Sequence, residues 1–160
     1  FNRQRGETTE RDISPQQLVH YRDNWYVDAW CHLRNKLLNF SVDAITHCDI
    51  LEDAAKEVSQ KDIKVIMQSG YGIFGGEANH WAKLKFSAVR ARWVQAEEWH
   101  PEQKSTVNKD GTYTLEFPYS DERELLGDIL RFGADVEVIA PKTLRTSLLN
   151  AAAETLKLYK

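Results

Sequence analysis

Asn24-Trp25-Tyr26-Val27-Asp28-Ala29-Trp30-Cys31-His32-Leu33-Arg34 is the stretch on which the reading of this chain turns. Its residues alternate as those of a β-strand do, because successive Cβ atoms point to opposite sides. Trp25, Val27, Ala29 and Cys31 fall on one face; Tyr26, Asp28, Trp30 and His32 fall on the other. The first set suits a packed interior, Trp25 included. The second carries two aromatic rings, a carboxylate and an imidazole, with Arg34 and Lys36 following at once. Rings can stack on bases, and guanidinium or ammonium groups can take phosphate oxygens, so this face reads as a recognition surface. The alternative is that Tyr26 and Trp30 simply pack against a second domain of the chain.

The bulk composition limits what such a surface can serve. A chain of 160 residues, 42% hydrophobic and 28% charged, has ordinary globular composition and room for one large or two small domains. A net charge of -3 and a pI near 6.0 exclude a protein that coats nucleic acid over its whole surface, since that affinity rests on Lys and Arg neutralising phosphates. A nucleic-acid site here must be a local basic patch. With two cysteines, no signal peptide and no apolar run near the ~18 residues of a membrane span, a reducing, cytoplasmic setting without membrane contact is expected. The sequence begins at Phe1 without a Met, so a fragment with a missing N-terminal neighbour is expected.

Outward from the opening strand, the first part of the chain shows short strands with tight punctuation. Strands are expected at 1–5, 8–13, 17–22, 25–33 and 37–42, broken at Gly6, Ser14-Pro15, Asp23-Asn24 and Asn35-Lys36. Asp23-Asn24 and Asn35-Lys36 have the chemistry of hairpin turns. Ile50, Leu51, Ala54, Ala55 and Val58 then recur at helical spacing, followed by the apolar run Ile63, Val65 and Ile66, which fits a helix turn or a strand. Residues 69–76, Ser-Gly-Tyr-Gly-Ile-Phe-Gly-Gly, hold half of the glycines and mark the domain boundary, giving domains at 1–68 and 69–160.

Beyond that boundary element types alternate. A strand is expected at 81–86, a short helix at 88–96, and strands at 104–107 and 112–117 around the hairpin signal Asp110-Gly111. Asp121 with Glu124 resembles a capping box for a helix at 121–132 that Gly133 stops. A strand at 135–139 and a closing helix after Pro141 complete the order β-α-β-β-α-β-α, the ferredoxin-like arrangement with one added helix. The fold class is therefore α+β.

Catalytic signatures are missing: no nucleophile elbow, no phosphate-cradling Gly-rich loop with Lys, and glycines at 69–76 that do not follow the dinucleotide spacing. The chain does not read as an enzyme, and no cofactor is implied. Cys31-His32 and His47-Cys48 invite a zinc reading, but adjacent strand residues point to opposite faces and cannot chelate together. Trp99-His100-Pro101 reads as an aromatic plug of the second core, with a docking corner as the alternative. Arg90 and Arg92 put a basic face on the short helix that suits an effector or partner contact; a merely solvated face is the alternative. Lys83 and Lys85 read as solubility residues. Arg145, placed against the dipole at a helix start, implies a contact.

Trp25-Tyr26-Val27, with Pro15 and Leu18 upstream and His32-Leu33-Arg34 downstream, resembles the Trp-Tyr-Leu triplet and context of the WYL domain. Phe86-Ser87, Ala91-Arg92-Trp93-Val94, Trp99-His100-Pro101, Gln103, Val136-x-Val138 and Pro141-x-x-Leu144-Arg145 resemble the C-terminal extension that accompanies it, the WCX domain. The resemblance implies a small Sm-like or SH3-like β-barrel followed by the ferredoxin-like domain. It further implies the effector-sensing region of a homodimeric bacterial transcriptional regulator, with duplex operator DNA read by an N-terminal helix-turn-helix outside this sequence. The implied effector is single-stranded DNA or a nucleotide, and Arg22, Tyr26, Trp30, His32, Arg34, Lys36, Arg90 and Arg92 are the residues expected to meet it. Family members often carry arginines on the strand after the triplet where this chain has Leu38, Ser41 and Ala44, so part of the charge must come from other residues. A protein-interaction or dimerisation module without an effector is the competing reading.

Overall fold

The computed structural model describes residues 6–67, 70–73 and 78–160, and the chain divides into two compact units, Phe1–Gln68 and Ser69–Lys160. The fold is α+β, with two antiparallel sheets and, among the described residues, four α-helices.

In the first unit β1 (Ile13–Tyr21), β2 (Asn24–Cys31) and β3 (Lys36–Ser41) form a meander with β2 at its centre. Pro15 lies within β1 and does not break it, contrary to the sequence expectation. A proline has no N–H to give a ladder, and β1 tolerates this because it is an edge strand whose register shifts between Pro15 and Gln17. The first turn is Arg22-Asp23 rather than Asp23-Asn24, since Tyr21 pairs with Asn24, and Arg22 takes the positive φ of 52°. The second spans residues 32–35, with Asn35 at φ 50° and Cys31 paired with Lys36. Residues 8–12 form no strand of their own, and the strand expected at 1–5 lies outside the described residues.

The periodic stretch around Ile50 to Val58 is not helical; residues 46–59 carry no helix or strand, and the helix α1 (Gln60–Met67) follows. Acidic residues at 49, 52, 53 and 57 leave that stretch solvated, and Ile50 and Leu51 are exposed. Helical spacing only becomes a helix when its apolar stripe finds something to cover. In α1 it does: Ile63 and Met67 are buried against Leu37 of β3, with Trp30, Val58 and Ile66 packed around them.

The second unit follows the expected order: β4 (His80–Phe86), α2 (Ala88–Val94), β5 (Lys104–Val107), β6 (Tyr113–Tyr119), α3 (Glu122–Arg131), β7 (Val136–Ala140) and α4 (Lys142–Lys157). Its sheet runs β5-β6-β4-β7 with every pair antiparallel, which is the strand order of the ferredoxin-like fold. One sheet face holds the core: Leu84 and Phe86 of β4, Leu115 and Phe117 of β6, and Val138 of β7 are sealed by Val94, Leu125, Ile129 and Leu144 from the helices. Asp121 caps α3 by accepting from the Arg123 amide at 2.9 Å, and Gly133, at φ 57°, turns the chain after its last residues. Glu124 accepts from the Ile73 amide at 2.9 Å, tying the segment before β4 to the helix. Trp99 is the plug: its ring centroid lies 5.5 to 5.9 Å from those of Tyr71, Phe86, Phe117 and Phe132. Arg145 makes the contact its position implied, donating to Glu137 Oε1 at 2.8 Å and to the Val138 carbonyl at 2.7 Å. Lys83 pairs across the sheet with Glu116 at 2.9 Å and Lys85 with Asp110 at 3.5 Å, so both do more than keep the surface wet.

Candidate nucleic-acid interface

β2 is buried on both faces at its middle, where Val27, Asp28 and Ala29 succeed one another as buried residues. The alternation therefore assigned faces correctly but not their cover. Val27, Ala29 and Cys31 are interior as expected; Trp25, which shares their parity, is 52% exposed at the strand start, its ring tilted against His20 at 5.0 Å. The triplet tryptophan is not core; at the hairpin end of the strand about half of it stays open to solvent.

Asp28, only 2% exposed, is the structural pivot of the opposite face. Gln17 of β1 donates Nε2–H to Asp28 Oδ2 at 2.8 Å, and Asn39 of β3 donates Nδ2–H to Oδ1 at 2.8 Å. Register places the three residues side by side across the sheet, so each carboxylate oxygen faces an amide donor on a neighbouring strand. Charge-assisted bonds of this kind offset the cost of burying a carboxylate.

Either side of Asp28 the expected site residues separate into two groups. Toward the first hairpin lie Tyr26, half-buried between Val19 and Ser41, and Arg22 in the turn, its guanidinium 5.3 Å from the Tyr21 ring. Beside them Asn24 donates to Ser41 Oγ at 2.8 Å and to Asp43 Oδ1 at 3.1 Å. Toward the second hairpin lie Trp30, His32, Arg34 and Lys36. Arg22 and Arg34 sit beyond opposite ends of an eight-residue strand, roughly 25 Å at the usual rise, so they do not grip one phosphate together.

The second group is the denser one. His32 Nε2 is hydrogen-bonded to the buried Ser14 Oγ at 2.9 Å, and its backbone amide donates to the Asp12 carbonyl at 3.1 Å. Arg34 and Lys36 are exposed, and neither has an ion-pair partner among the described residues. Trp30 is half-buried: it borders the Leu37–Ile63–Met67 cluster, and Lys56 Nζ lies 3.2 Å from its ring centroid. It is thus a covered ring rather than an open platform.

Arg90 and Arg92 belong to the second unit, on α2. Arg90 is committed internally: its Nη2 donates to Asp135 Oδ2 at 3.0 Å and its guanidinium lies 5.5 Å from the Phe132 ring. Ser87, the cap of α2, donates to Asp135 Oδ1 at 2.8 Å, and that bond first, then Arg90, holds the Asp135 carboxyl below its ordinary pKa. Arg92 is exposed.

Sequence reasoning missed Ser14, Gln17, Asn39 and Lys56. The first three become visible only once strand register is known. Lys56 was hidden by the helical reading of its segment. Among the described residues no group of three or more His, Cys, Asp or Glu could hold a metal ion, and no helix is long and apolar enough to cross a membrane.

The WYL domain family model matches residues 1–50 and the WCX domain family model residues 78–156. An HTH-type transcriptional regulator of Bacillus subtilis (strain 168), YobV, is 23% identical over 157 residues, 97% of this chain and 49% of the relative. Protein PafC of Mycobacterium tuberculosis (strain ATCC 25618 / H37Rv) is 24% identical over 153 residues, 95% of this chain and 46% of the relative. Proteasome accessory factor B/C (PafBC) of Arthrobacter aurescens aligns over 92% of this chain and 22% of its own at 23% identity, with a TM-score of 0.39. The chain spans about half the length of the curated relatives it matches. With a WYL match over the meander and a WCX match over the ferredoxin-like unit, the chain carries a WYL domain and a WCX domain.

Proposed function

We propose that this chain is the effector-sensing region of a helix-turn-helix transcriptional regulator, and that its WYL unit binds a nucleic-acid-type effector, single-stranded DNA or a nucleotide. The observation that carries the reading is the cluster at the β2–β3 end. Arg34 and Lys36, cations without ion-pair partners among the described residues, lie at the same end of the sheet as an indole and an imidazole; Arg34 follows His32 closely, while Lys36, paired with Cys31, stands on the face opposite Trp30. Phosphate takes the cations and a base takes a ring, which is the pairing single strands require. The relative named as an HTH-type transcriptional regulator supports the regulatory context. Duplex operator contact would fall to a helix-turn-helix domain outside this sequence, in the cytoplasm.

The test is fluorescence polarisation with a labelled single-stranded oligonucleotide. Binding is expected to weaken steeply with salt, and Arg34→Ala should lower the log–log salt slope by about 0.7, the value for one phosphate on a single strand. His32→Ala should weaken binding as well. Absence of binding at low salt would sink the reading. A second reading, a dimerisation module with no effector, is favoured by the exposed Leu149, Leu156, Leu158 and Tyr159 at the C-terminal end. Under it no oligonucleotide or nucleotide shifts the melting temperature.

A further inference from the structure

Lys56 belongs to a segment without helix or strand, yet its backbone is fastened at both polar groups. Its amide donates to Ser14 Oγ at 2.8 Å, and Gln16 Nε2 donates to its carbonyl at 2.7 Å. Two residues on, the Val58 amide donates to Gln16 Oε1 at 2.9 Å. Side chains of β1 thus take the place of a ladder and hold the segment on the sheet edge. The Lys56 side chain is exposed, and its ammonium, 3.2 Å from the Trp30 centroid, has no ion-pair partner among the described residues. Ser14 also binds His32. Ring, cation and imidazole therefore meet at one small polar hub.

We propose that the Lys56–Trp30 contact is an exchangeable latch, and that a nucleotide unit opens it by taking both halves. The inference rests on the reading of this surface as a nucleic-acid-type effector site and names how that site is regulated. An ammonium over an indole is held by the ring quadrupole, an attraction of charge to a fixed charge distribution with no net charge. A phosphate oxygen offers the same ammonium a full opposite charge and a charge-assisted hydrogen bond. The base then covers the indole face that the ammonium leaves. A phosphate alone would strip the ring and leave it bare; a nucleoside alone would have to displace the cation without replacing its partner. Only a ligand with an anion and an aromatic face satisfies both halves. The departure of Lys56 acts two residues from Val58, which packs beside α1 on the Trp30 cluster.

The 160-residue chain, as wild type, Lys56→Gln and Lys56→Arg, tests this against a short fluorescein-labelled oligothymidylate across a salt series. The bonds that pin residue 56 involve its backbone, so these substitutions keep the segment in place; an unchanged urea midpoint checks it. Lys56→Gln should weaken binding about fivefold at low salt and lower the log–log salt slope by about 0.7, one phosphate on a single strand, while Lys56→Arg keeps both. A neutral methylphosphonate oligothymidylate should show the reverse order, binding Lys56→Gln more tightly than wild type, because no cation must leave the ring. Wild-type binding with an unchanged slope in Lys56→Gln, or tighter binding of the charged oligonucleotide, overturns the latch and leaves the effector site standing. No binding by wild type at low salt overturns both.

Discussion

At the scale of single residues, Asp28 shows how a strand can carry a charge through its own middle. Its two oxygens are matched to Gln17 and Asn39, and the match works only because both donors are amides whose NH₂ groups reach across the ladder. Asp28→Ala would leave two partly buried amides without their acceptor. A loss of about 1–3 kcal/mol is expected, read as a lower urea midpoint with an unchanged m-value. Asp28→Asn should also destabilise, since an amide in that place presents a donor to one of two donors. Parity put Asp28 on the face with Tyr26 and Trp30, and that was readable from ten residues of sequence. Its burial was not, because the amides that meet its two oxygens come from neighbouring strands whose register the sequence alone does not give. Trp25 failed for the converse reason: its face was right, but at the strand start it stays 52% exposed.

Elements were legible where the local signal and the packing agreed. α3 has a cap, a stripe and a stop, and it forms where the spacing placed it. The stretch at 46–59 had the spacing without forming a helix, and its residues 56 and 58 are tied to β1 by way of Ser14 and Gln16. α2 is too short to stand alone, and its start is secured by one hydroxyl with two duties. Ser87 Oγ accepts from the Arg90 amide at 3.1 Å and donates to Asp135 at 2.8 Å, linking the helix to the turn before β7. Ser87→Ala should cost about 1 kcal/mol as a lost cap. It should also move the Asp135 pKa back up toward the ordinary carboxylate value, followed by carboxyl chemical shifts in an NMR titration. The sign for stability follows from the depressed folded pKa. The contribution of Asp135 is present above the unfolded carboxylate value of about 3.9 and is lost as pH falls through the folded value. Asp135→Asn should therefore flatten the acid limb of a melting-temperature profile and leave its shape above pH ~5 unchanged.

For the molecule as a whole, the ferredoxin-like order was readable because its seven elements alternate and each is punctuated, whereas the first unit's barrel expectation counted a strand at 8–13, of which only Ile13 joins the sheet, and one at 1–5 that lies outside the described residues. What neither the pattern nor the fold uses is the far end of α4. Leu144 is fully buried and Leu148 packs on the core, but the two turns after Ala151 are exposed throughout. Leu149 is 62% and Leu156 53% exposed, seven residues apart and so on one helical face. Helical ends of this length gain little stability from propensity alone, and an apolar stripe there needs a partner to hold it. A second copy offers the same stripe, and a two-fold axis between antiparallel helices would set Leu149 of one against Leu156 of the other. Sedimentation velocity should then show a dimer for the 160-residue chain, and Leu149→Glu with Leu156→Glu should convert it to monomer. The far-ultraviolet helical signal should fall slightly as the released turns fray. A wild-type chain that sediments as a monomer across the micromolar range would reject this interface, and the α4 stripe would then have to meet a different protein or a part of the chain outside this sequence.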